Sequence, residues 1–364
     1  MLIFGTPTRT IHRLGEGVEI IDQTCLPHEL TLRKLSTLVE AAEAISVMRV
    51  RGAPLIGATA AYGLVFAAQR DASDAGLTAA AELLIATRPT AVNLRWAVQR
   101  MLDYLRPLPV AGRVEAAWAE ASAICEEDVA QNRAIGQHGL TLLQAIAAQK
   151  SGPIHILTHC NAGWLATVDW GTALAPIYAA TDAGLDVHVW VDETRPRNQG
   201  ASLTAWELQQ AGIAHHVIAD NAGGHLMQQG QVDICIVGTD RVAANGDVAN
   251  KIGTYLKALA AFDNGVPFYV AAPGPSIDFT LASGAEIPIE ERDQDEVACI
   301  QGRDAEGRVV SVRLTPAGSL AANPAFDVTP ARLVTGFITE RGICGANRAA
   351  LAELFPERVG GQSA

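Results

Sequence analysis

Aromatic residues and closely spaced cysteines are both scarce in this sequence of 364 residues. Aromatics make up 5% of the chain, and its six cysteines include no Cys-x-x-Cys pair and no Cys/His spacing typical of zinc. The pattern therefore argues against a zinc module and a disulfide framework. Thiols scattered in this way are typical of a reducing compartment, so we expect a cytoplasmic protein with reduced cysteines.

The sequence also lacks a long apolar run. Residues 1–14 contain no apolar segment of the kind that precedes a signal-peptide cleavage site. The longest apolar stretch, residues 53–68, is interrupted by Pro54, Gly57 and Gly63. It is shorter than a membrane span and predicts a buried helix. We therefore expect no membrane association.

Cofactor motifs are missing as well. No Walker sequence occurs, and the segment after the first predicted strand of the second half reads HCNAGW instead of a Gly-x-Gly-x-x-Gly loop. We therefore predict no cofactor and no metal. The formal net charge of −12 repels the backbone of nucleic acids, so we expect no nucleic-acid partner. An anionic substrate would need a few local arginines or lysines instead.

The sequence does contain two regions with different patterns. Residues 1–150 start with a weak strand signal at residues 19–23 and continue with apolar patterns of helical period. This predicts a mostly helical N-terminal domain. Its predicted helices are residues 32–48, 53–68, 77–87, 91–105 and 114–148.

From residue 151 onward, short runs rich in β-branched residues alternate with helical segments. The predicted strands are residues 154–158, 187–191, 216–219, 234–237 and 268–271, and the helices between them are residues 170–183, 201–211, 224–229 and 249–262. Such alternation predicts the α/β class, with a doubly wound, mostly parallel sheet covered on both faces. We assign residues 151–364 to this Rossmann-like C-terminal domain.

Polar side chains follow four of the predicted strands. In an open parallel sheet, ligands bind at the edge formed by the carboxyl ends of the strands. The convergence of so many polar groups at this edge predicts an active site. The residues that follow the strands are His159, Cys160, Asn161, Asp192, Glu193, Gln199, Asp220, Asp240, Arg241, Asn250 and Lys251.

Two of these side chains fit more than one role. Cys160 lies just past its strand at the ligand-binding edge, but a cysteine is also a common small buried hydrophobe. Asp240 follows the most apolar strand, where desolvation raises a carboxyl pKa towards the range of a general acid. An aspartate there could equally cap a turn or pair with Arg241 or Arg195. The residues alone leave these alternatives open.

Three cations are candidates for holding an anion. Arg51, Arg88 and Lys251 each lie beside a predicted helix start. A cation together with unpaired backbone N–H groups suits a phosphate at such a position. Ordinary ion pairing is the alternative for all three.

Other carboxylates near the strand ends are interpreted as structural. Asp192 and Glu193 could ligate a metal, but no histidine or further carboxylate lies close to them in sequence. We expect an ion pair with Arg195 or Arg197 instead. Asp247 comes after an Asn-Gly pair and is predicted to be a turn residue.

Eight longer motifs resemble the methylthioribose-1-phosphate isomerase family. They are RGAPLIGATAAYGL at residues 51–64, RPTAVNLRWAV at 88–98, THCNAGWLAT at 158–167, DETRPRNQGASLTAWEL at 192–208, GTDRVAANGDVANKIGTY at 238–255, PFYVAAPGPSIDF at 267–279, EIPIEER at 286–292 and FDVTPARLVTGFITERG at 326–342. They occur in the family's order and cover most of residues 51–342. The combination is specific, although each motif alone is weak.

The resemblance implies an aldose–ketose isomerase that converts 5-methylthioribose 1-phosphate to 5-methylthioribulose 1-phosphate in methionine salvage. It implies that Cys160 and Asp240 are the catalytic pair. It also implies a homodimer in which a helical N-terminal domain contributes phosphate-binding residues to a Rossmann-like catalytic domain. The substrate-binding residues that it implies are Arg51, Gly52, Ala53, Arg88, Gln199, Asn250 and Lys251.

The sequence departs from the family pattern at two places, Arg197–Asn198 and residues 274–276. Both departures bear on the shape of the sugar pocket. A sugar with phosphate on its anomeric carbon cannot open to a free aldehyde by simple tautomerism, so Asp240 would protonate the ring oxygen. Cys160 would act at C1 and C2, either as the base of an enolate path or as the stabiliser of a hydride shift.

Three other functions remain alternatives at this point. A ribose-1,5-bisphosphate isomerase would need a second cationic cluster in place of an apolar slot. A non-catalytic regulatory subunit related to the translation-initiation exchange factor would not need Cys160 and Asp240 together. A cysteine hydrolase would need His159 beside the thiol, but neighbours after a strand tend to point apart.

Overall fold

The computed structural model describes residues 1–359, so residues 360–364 of the predicted C-terminal domain lie outside the described residues. The N-terminal part begins with two short antiparallel sheets and continues with five helices. Its strands are β1 (Leu2–Ile3), β2 (Thr6–Pro7), β3 (Ile11–Leu14), β4 (Gly17–Ile21) and β5 (Leu32–Leu35). Its helices are α1 (Leu38–Ser46), α2 (Ala53–Arg70), α3 (Asp74–Thr87), α4 (Val92–Leu105) and α5 (Arg113–Ala147).

The predicted helix over residues 32–48 is wrong in its first part. Leu32–Leu35 is a strand that pairs with β4, opposite Val18 at its end. Helix α1 begins only after Thr37, whose hydroxyl accepts a hydrogen bond from Glu40 N while the Glu40 carboxylate accepts one from Thr37 N. This reciprocal cap fixes the helix start, and pairing with β4 decides the conformation before it.

Helix α2 is the predicted buried helix. Of its 18 residues, 15 are buried. The helix begins after Gly52, which has a φ of +90° and no room for a side chain, because a Cβ there would lie 2.3 Å from the carbonyl oxygen of Ala166. Glycine is therefore required where the helix start presses against the turn at residues 164–166.

Helix α5 is 35 residues long and packs against two cores. Trp118 and Val129 belong to the core of the helical part, whereas Ile135 and Leu143 pack with the large sheet. One rigid element thus connects the two parts of the chain. The division at residues 150 and 151 remains a prediction.

The second part contains thirteen strands and seven helices up to residue 359. The strands are β6 (Ile154–Thr158), β7 (Val187–Asp192), β8 (Ala214–Ile218), β9 (Ile234–Val237), β10 (Arg241–Ala243), β11 (Val248–Lys251), β12 (Phe268–Ala271), β13 (Ile277–Asp278), β14 (Cys299–Arg303), β15 (Val309–Arg313), β16 (Phe326–Thr329), β17 (Gly336–Thr339) and β18 (Gly342–Cys344). The helices are α6 (Ala175–Asp182), α7 (Ala205–Gln210), α8 (Ala222–Gln228), α9 (Thr254–Asp263), α10 (Asp295–Ala298), α11 (Arg348–Leu354) and α12 (Pro356–Val359).

The main sheet has seven strands in the order β18-β17-β12-β9-β6-β7-β8. All neighbouring pairs are parallel except β17 with β18. Residues of α5, α6 and α7 pack in a core on one face, and residues of α8, α9 and α11 pack in a core on the other. The predicted α/β class with a doubly wound, mostly parallel sheet is confirmed. No helix within residues 1–359 is long and apolar enough to cross a membrane.

A second sheet, in the order β13-β10-β11-β16, was not predicted. It corrects the predicted helix over residues 249–262, because α9 begins only at Thr254. Asn250 and Lys251 lie in strand β11, which pairs with both β10 and β16, and not at the head of a helix. Gly253, with a φ of +102°, ends the strand before the helix starts.

Candidate active site

One cavity lies at the carboxyl ends of β6 and β9, under the start of α2 and the segment between α3 and α4. All nine residues named from the sequence as catalytic or substrate-binding line it, and they come from six separate segments. They are Arg51, Gly52, Ala53, Arg88, Cys160, Gln199, Asp240, Asn250 and Lys251. The structure therefore brings the candidates together, and their individual roles remain predictions.

Cys160 is held rigidly at the end of β6. Its φ of +66° is unusual for a residue with a side chain and is maintained by two hydrogen bonds. Cys160 N donates to Thr194 Oγ1 at 2.8 Å, and Cys160 O accepts from Thr204 Oγ1 at 2.7 Å. The buried thiol donates to Gln199 Oε1 at 3.3 Å. The backbone thus aims the sulfur at the cavity wall that carries Gln199.

Burial raises the pKa of the Cys160 thiol, and the nearby cations Arg51 and Lys251 lower it only in part. The group is therefore a thiol near neutral pH. Only the Cys160 thiolate could remove a proton from carbon, so the thiol would first have to lose its own proton.

Asp240 follows β9, and its backbone N–H donates to the carbonyl of Ala249. Burial raises the pKa of its carboxyl, and the charges of Lys251, Arg88 and Arg51 oppose that rise without cancelling it. Asp240 therefore keeps its proton to a higher pH than an ordinary aspartate, as a general acid requires. Its sequence neighbour Arg241 is engaged elsewhere.

The guanidinium of Arg241 donates to the carbonyl of Thr90 at 2.6 Å and lies 3.8 Å from Asp278. A simple Asp240–Arg241 ion pair, one alternative left open by the sequence, is therefore not formed. The contact with Thr90 also connects the sheet part to the segment that carries Arg88.

The start of α2 supplies a cation and free backbone donors. Arg51 is buried, and its two terminal nitrogens donate to the side-chain and backbone oxygens of Asn161. The adjacent α2 has no side chain capping its first turn, so backbone N–H groups there are available to an anion. A buried cation bonded to a neutral amide retains its full positive charge for a ligand.

Two further cations face the same cavity. The ammonium of Lys251 lies 4.6 Å from the ring centroid of Phe326, and burial lowers its pKa. Arg88 donates to Glu290 at 3.2 Å, and its Nε is buried without a partner. Arg88 therefore pairs with Glu290 through one nitrogen and keeps a second, buried N–H donor free.

His159 is separated from the thiol next to it. Its Nδ1 lies 2.8 Å from Asp192 Oδ2, and its Nε2 lies 2.8 Å from the carbonyl oxygen of Ile252. Both ring nitrogens are thus occupied by oxygen atoms, and neither faces Cys160. This geometry does not support a Cys–His dyad.

The expected ion pair between Asp192 and Arg195 or Arg197 is wrong. Asp192 contacts His159 and Lys257 instead, with Lys257 Nζ 3.1 Å from Asp192 Oδ2. Arg197 pairs with Glu296 at 2.7 Å. The reason is that parallel packing places β6 and α9 beside the end of β7, which no local spacing reveals.

A metal-binding geometry also arises there. His159, Asp192 and Asp220 each present a ligand atom within 4.8 Å of the others, which is the one such group in residues 1–359. Lys257, however, approaches both acidic residues, as it contacts Asp192 and donates to the carbonyl of Asp220. The ammonium group thus lies beside the Asp192 carboxylate, where a metal ion would need to bind, and the Asp220 carboxylate accepts hydrogen bonds from Thr194 N and Arg195 N.

The apolar wall of the cavity was missed by the sequence reasoning. Met48, Ile56, Val92, Ile287 and Phe326 contribute to it from widely separated segments. The motif EIPIEER at residues 286–292 carries part of the family resemblance, but nothing in its spacing indicates that it borders the pocket. The wall gives the cavity an apolar part beside its cations.

Comparisons of sequence place the chain among known proteins. A model of the initiation factor 2 subunit family matches residues 49–346. The methylthioribose-1-phosphate isomerase of Rhodospirillum rubrum is 64% identical, over 99% of this chain and 94% of that protein. The protein of the same name from Methylorubrum populi is 63% identical, over 98% of this chain and 99% of that one.

Two solved structures resemble this one closely. The 5-methylthioribose 1-phosphate isomerase from Pyrococcus horikoshii OT3 has a TM-score of 0.82 at 42% identity, with 96% of each chain covered. A structure described as translation initiation factor eIF-2B, subunit delta, from A. fulgidus has a TM-score of 0.80 at 38% identity, covering 96% of this chain and 100% of the other. The fold is thus shared by proteins named as enzymes and as translation factors.

Proposed function

Since the chain belongs to the initiation factor 2 subunit family and, within it, to the methylthioribose-1-phosphate isomerase family, we propose that it isomerises 5-methylthioribose 1-phosphate to 5-methylthioribulose 1-phosphate, a step of methionine salvage. The observation that supports this function best is a single cavity that contains a buried acid, a buried thiol and four cations. The reaction proposed here uses each of these groups.

The phosphate is the anchor in this proposal. Arg51 and Lys251 face the cavity without being neutralised by a directly bonded carboxylate, and the first turn of α2 adds backbone donors. Charge-assisted contacts of this kind position the sugar, so that binding energy from a non-reacting group lowers the barrier at C1 and C2.

Proton transfer follows from the two buried groups. Asp240, whose pKa burial raises, donates its proton to the ring oxygen, and the bond between that oxygen and C1 breaks while the phosphate stays in place. Hydride then moves from C2 to the electron-deficient C1 beside the Cys160 thiol, and the proton of the C2 hydroxyl passes to the Asp240 carboxylate, which leaves the ketone at C2. The raised pKa of that thiol favours its role as stabiliser of a hydride shift over that of a thiolate base.

The apolar wall supports the methylthio group as the substituent at C5. Ile56, Val92, Ile287 and Phe326 offer thioether-compatible surface, whereas a 5-phosphate would need further cations. Arg241, the remaining cation of the cavity, is already bonded to Thr90. These contacts argue against ribose 1,5-bisphosphate as the substrate.

The similarity to the A. fulgidus translation factor and the description of the matching family model both favour a regulatory role. A regulatory subunit has no need for a buried acid and thiol in one cavity, so we favour the enzyme. The quaternary state that we propose is a homodimer, and the compartment that we propose is the cytoplasm, supported by six free cysteines.

Truncating Arg88, which contacts Glu290, tests the phosphate site. Arg88→Ala is expected to cost about 2–5 kcal/mol of transition-state binding, the range for breaking a buried charged pair. Steady-state kinetics should show the loss in kcat/KM, and inorganic phosphate should inhibit the variant far less than the wild type.

Arg100→Ala is the matched control, because Arg100 lies on α4 and pairs with Glu120 and Glu127 outside the cavity. It should keep wild-type kinetics and phosphate inhibition. Unchanged efficiency and unchanged phosphate inhibition in Arg88→Ala would place the phosphate elsewhere.

Chelation tests the absence of a metal requirement. Because Lys257 occupies the side of Asp192 where a metal would bind, exhaustive chelation followed by removal of the chelator should leave turnover unchanged. Elemental analysis of the same sample verifies that divalent ions are gone. Activity that disappears and returns only with a divalent ion would assign His159, Asp192 and Asp220 to a metal centre.

A further inference from the structure

Glu207 is a buried carboxylate that the proposed reaction does not use. It lies on α7, is 0% exposed and is not part of the cavity wall. Its two oxygens accept four hydrogen bonds: Oε1 from Asn161 Nδ2 at 2.8 Å and Leu165 N at 2.9 Å, Oε2 from Trp164 N at 2.9 Å and Tyr178 Oη at 2.7 Å. Three of the four partners are N–H groups that can only donate, so Oε1, between Asn161 and Leu165, can only accept. Burial raises the pKa of the Glu207 carboxyl, and its hydrogen bonds to Asn161, Tyr178, Leu165 and Trp164 oppose that rise.

The chain is built closely around this carboxylate. Gly163 precedes two of the donors, and a Cβ at Gly163 would lie 1.9 Å from Glu207 Oε2. Only glycine lets the loop approach so near. The position of Glu207 is therefore determined by the loop that follows Cys160.

Asn161 connects Glu207 with the cavity. Arg51 donates to Asn161 Oδ1, and Asn161 Nδ2 donates to Glu207. Because a guanidinium can only donate and a carboxylate can only accept, the amide has one possible orientation between them. Reversing the amide would place an NH2 group against the guanidinium and an oxygen against the carboxylate.

We propose that Glu207 is a positioning residue, which holds the Asn161 amide in the orientation that fixes the Arg51 guanidinium for the substrate phosphate. This inference rests on the proposed function, because it takes Arg51 to bind that phosphate. The charge of Glu207 contributes as well. Burial lowers the pKa of Arg51, and the Glu207 carboxylate, which is separated from Arg51 by Asn161, opposes that effect. The carboxylate thus acts on substrate binding without touching substrate.

Glu207→Gln tests the proposal, because its new NH2 group must face N–H donors whichever way the amide lies. When that NH2 group faces Asn161, the Asn161 amide can no longer satisfy both Arg51 and residue 207, and the Arg51 guanidinium loses its fixed position. We expect kcat/KM to fall on the order of 10- to 100-fold, matching the loss of a charge-assisted hydrogen bond, with most of the change in KM. The inhibition constant of inorganic phosphate should rise by a similar factor.

Tyr178→Phe is the matched control. It removes one hydrogen bond from the same carboxylate but preserves its charge and its bond to Asn161. Its kinetics and phosphate inhibition should remain within about twofold of wild type even if its melting temperature drops. Equal kinetic losses in both variants would mean that Glu207 acts only through stability, and would overturn the proposal.

A double-mutant cycle with Arg51→Ala completes the test. In that background, Glu207→Gln should cause little further loss of kcat/KM, since the group that it positions is gone. Additive losses, or a Glu207→Gln variant with wild-type kinetics, would contradict the inference. If Glu207→Gln does not fold, Asn161→Ala replaces it in the same cycle with the same expectation. Failure of the wild type to turn over the substrate would contradict the proposed function instead.

Discussion

Cys160→Ser is expected to lower kcat by on the order of a thousandfold or more, because it removes the group that acts at the carbons exchanging hydrogen. The hydroxyl is close to the thiol in size, so the left-handed backbone at this position and its bonds to Thr194 and Thr204 can persist. A serine hydroxyl, however, is less polarisable and far less acidic than a thiol.

Cys125→Ser provides a matched control for this change. Cys125 is also buried, burial raises its pKa to about 12, and its only side-chain hydrogen bond is with Tyr62 in the helical core. The control should retain wild-type kcat. Near-normal turnover by a folded Cys160→Ser, verified by its circular dichroism and melting temperature, would remove the thiol from the mechanism.

Asp240→Asn is expected to cause a loss of similar size. The amide preserves the shape of the side chain but has no proton to give to the ring oxygen, and general-acid catalysis of this kind contributes about a hundredfold to ten-thousandfold. Kinetics at saturating substrate separate the loss in kcat from any change in binding, since the amide can still lie beside Lys251.

The pH dependence of kcat tests whether Asp240 acts as the general acid. Because burial raises the folded-state pKa of Asp240, the acid form is present below that pKa and is lost as pH rises through it. Wild-type kcat should therefore fall on the alkaline side of the raised pKa. The residual activity of Asp240→Asn should not show this limb.

Asp128→Asn is the control for a buried carboxyl. Burial raises the pKa of Asp128 to about 7, and its side chain accepts from Val168 N, outside the cavity. The amide oxygen can maintain that bond, so kcat and its pH profile should match wild type. An Asp240→Asn variant that behaves like this control would exclude Asp240 as the acid.

The strands of the main sheet were the most predictable feature of the fold. The predicted bounds of β6, β9 and β12 match the structure, because a strand covered on both faces is a short, nearly uninterrupted apolar run. Parallel pairing then places the residues after β6 and β9 at one edge. This is why the sequence alone is enough to group Cys160 with Asp240.

Features that depend on non-local pairing could not be predicted. Residues 249–251 directly precede a helical apolar pattern, but β16 (Phe326–Thr329), far along the chain, pairs with them as a strand. Lys257 and Asp192 meet only because α9 packs under the end of β7. The apolar wall of the cavity is likewise assembled from segments far apart in sequence.

The most direct test of the central claim is turnover of 5-methylthioribose 1-phosphate beside ribose 1,5-bisphosphate, by the purified protein without added metal or nucleotide. The cavity, with one group of cations and an apolar wall, predicts formation of the ketose phosphate from the first substrate and little or none from the second. No turnover of the methylthio sugar, or preferred turnover of the bisphosphate, would contradict it.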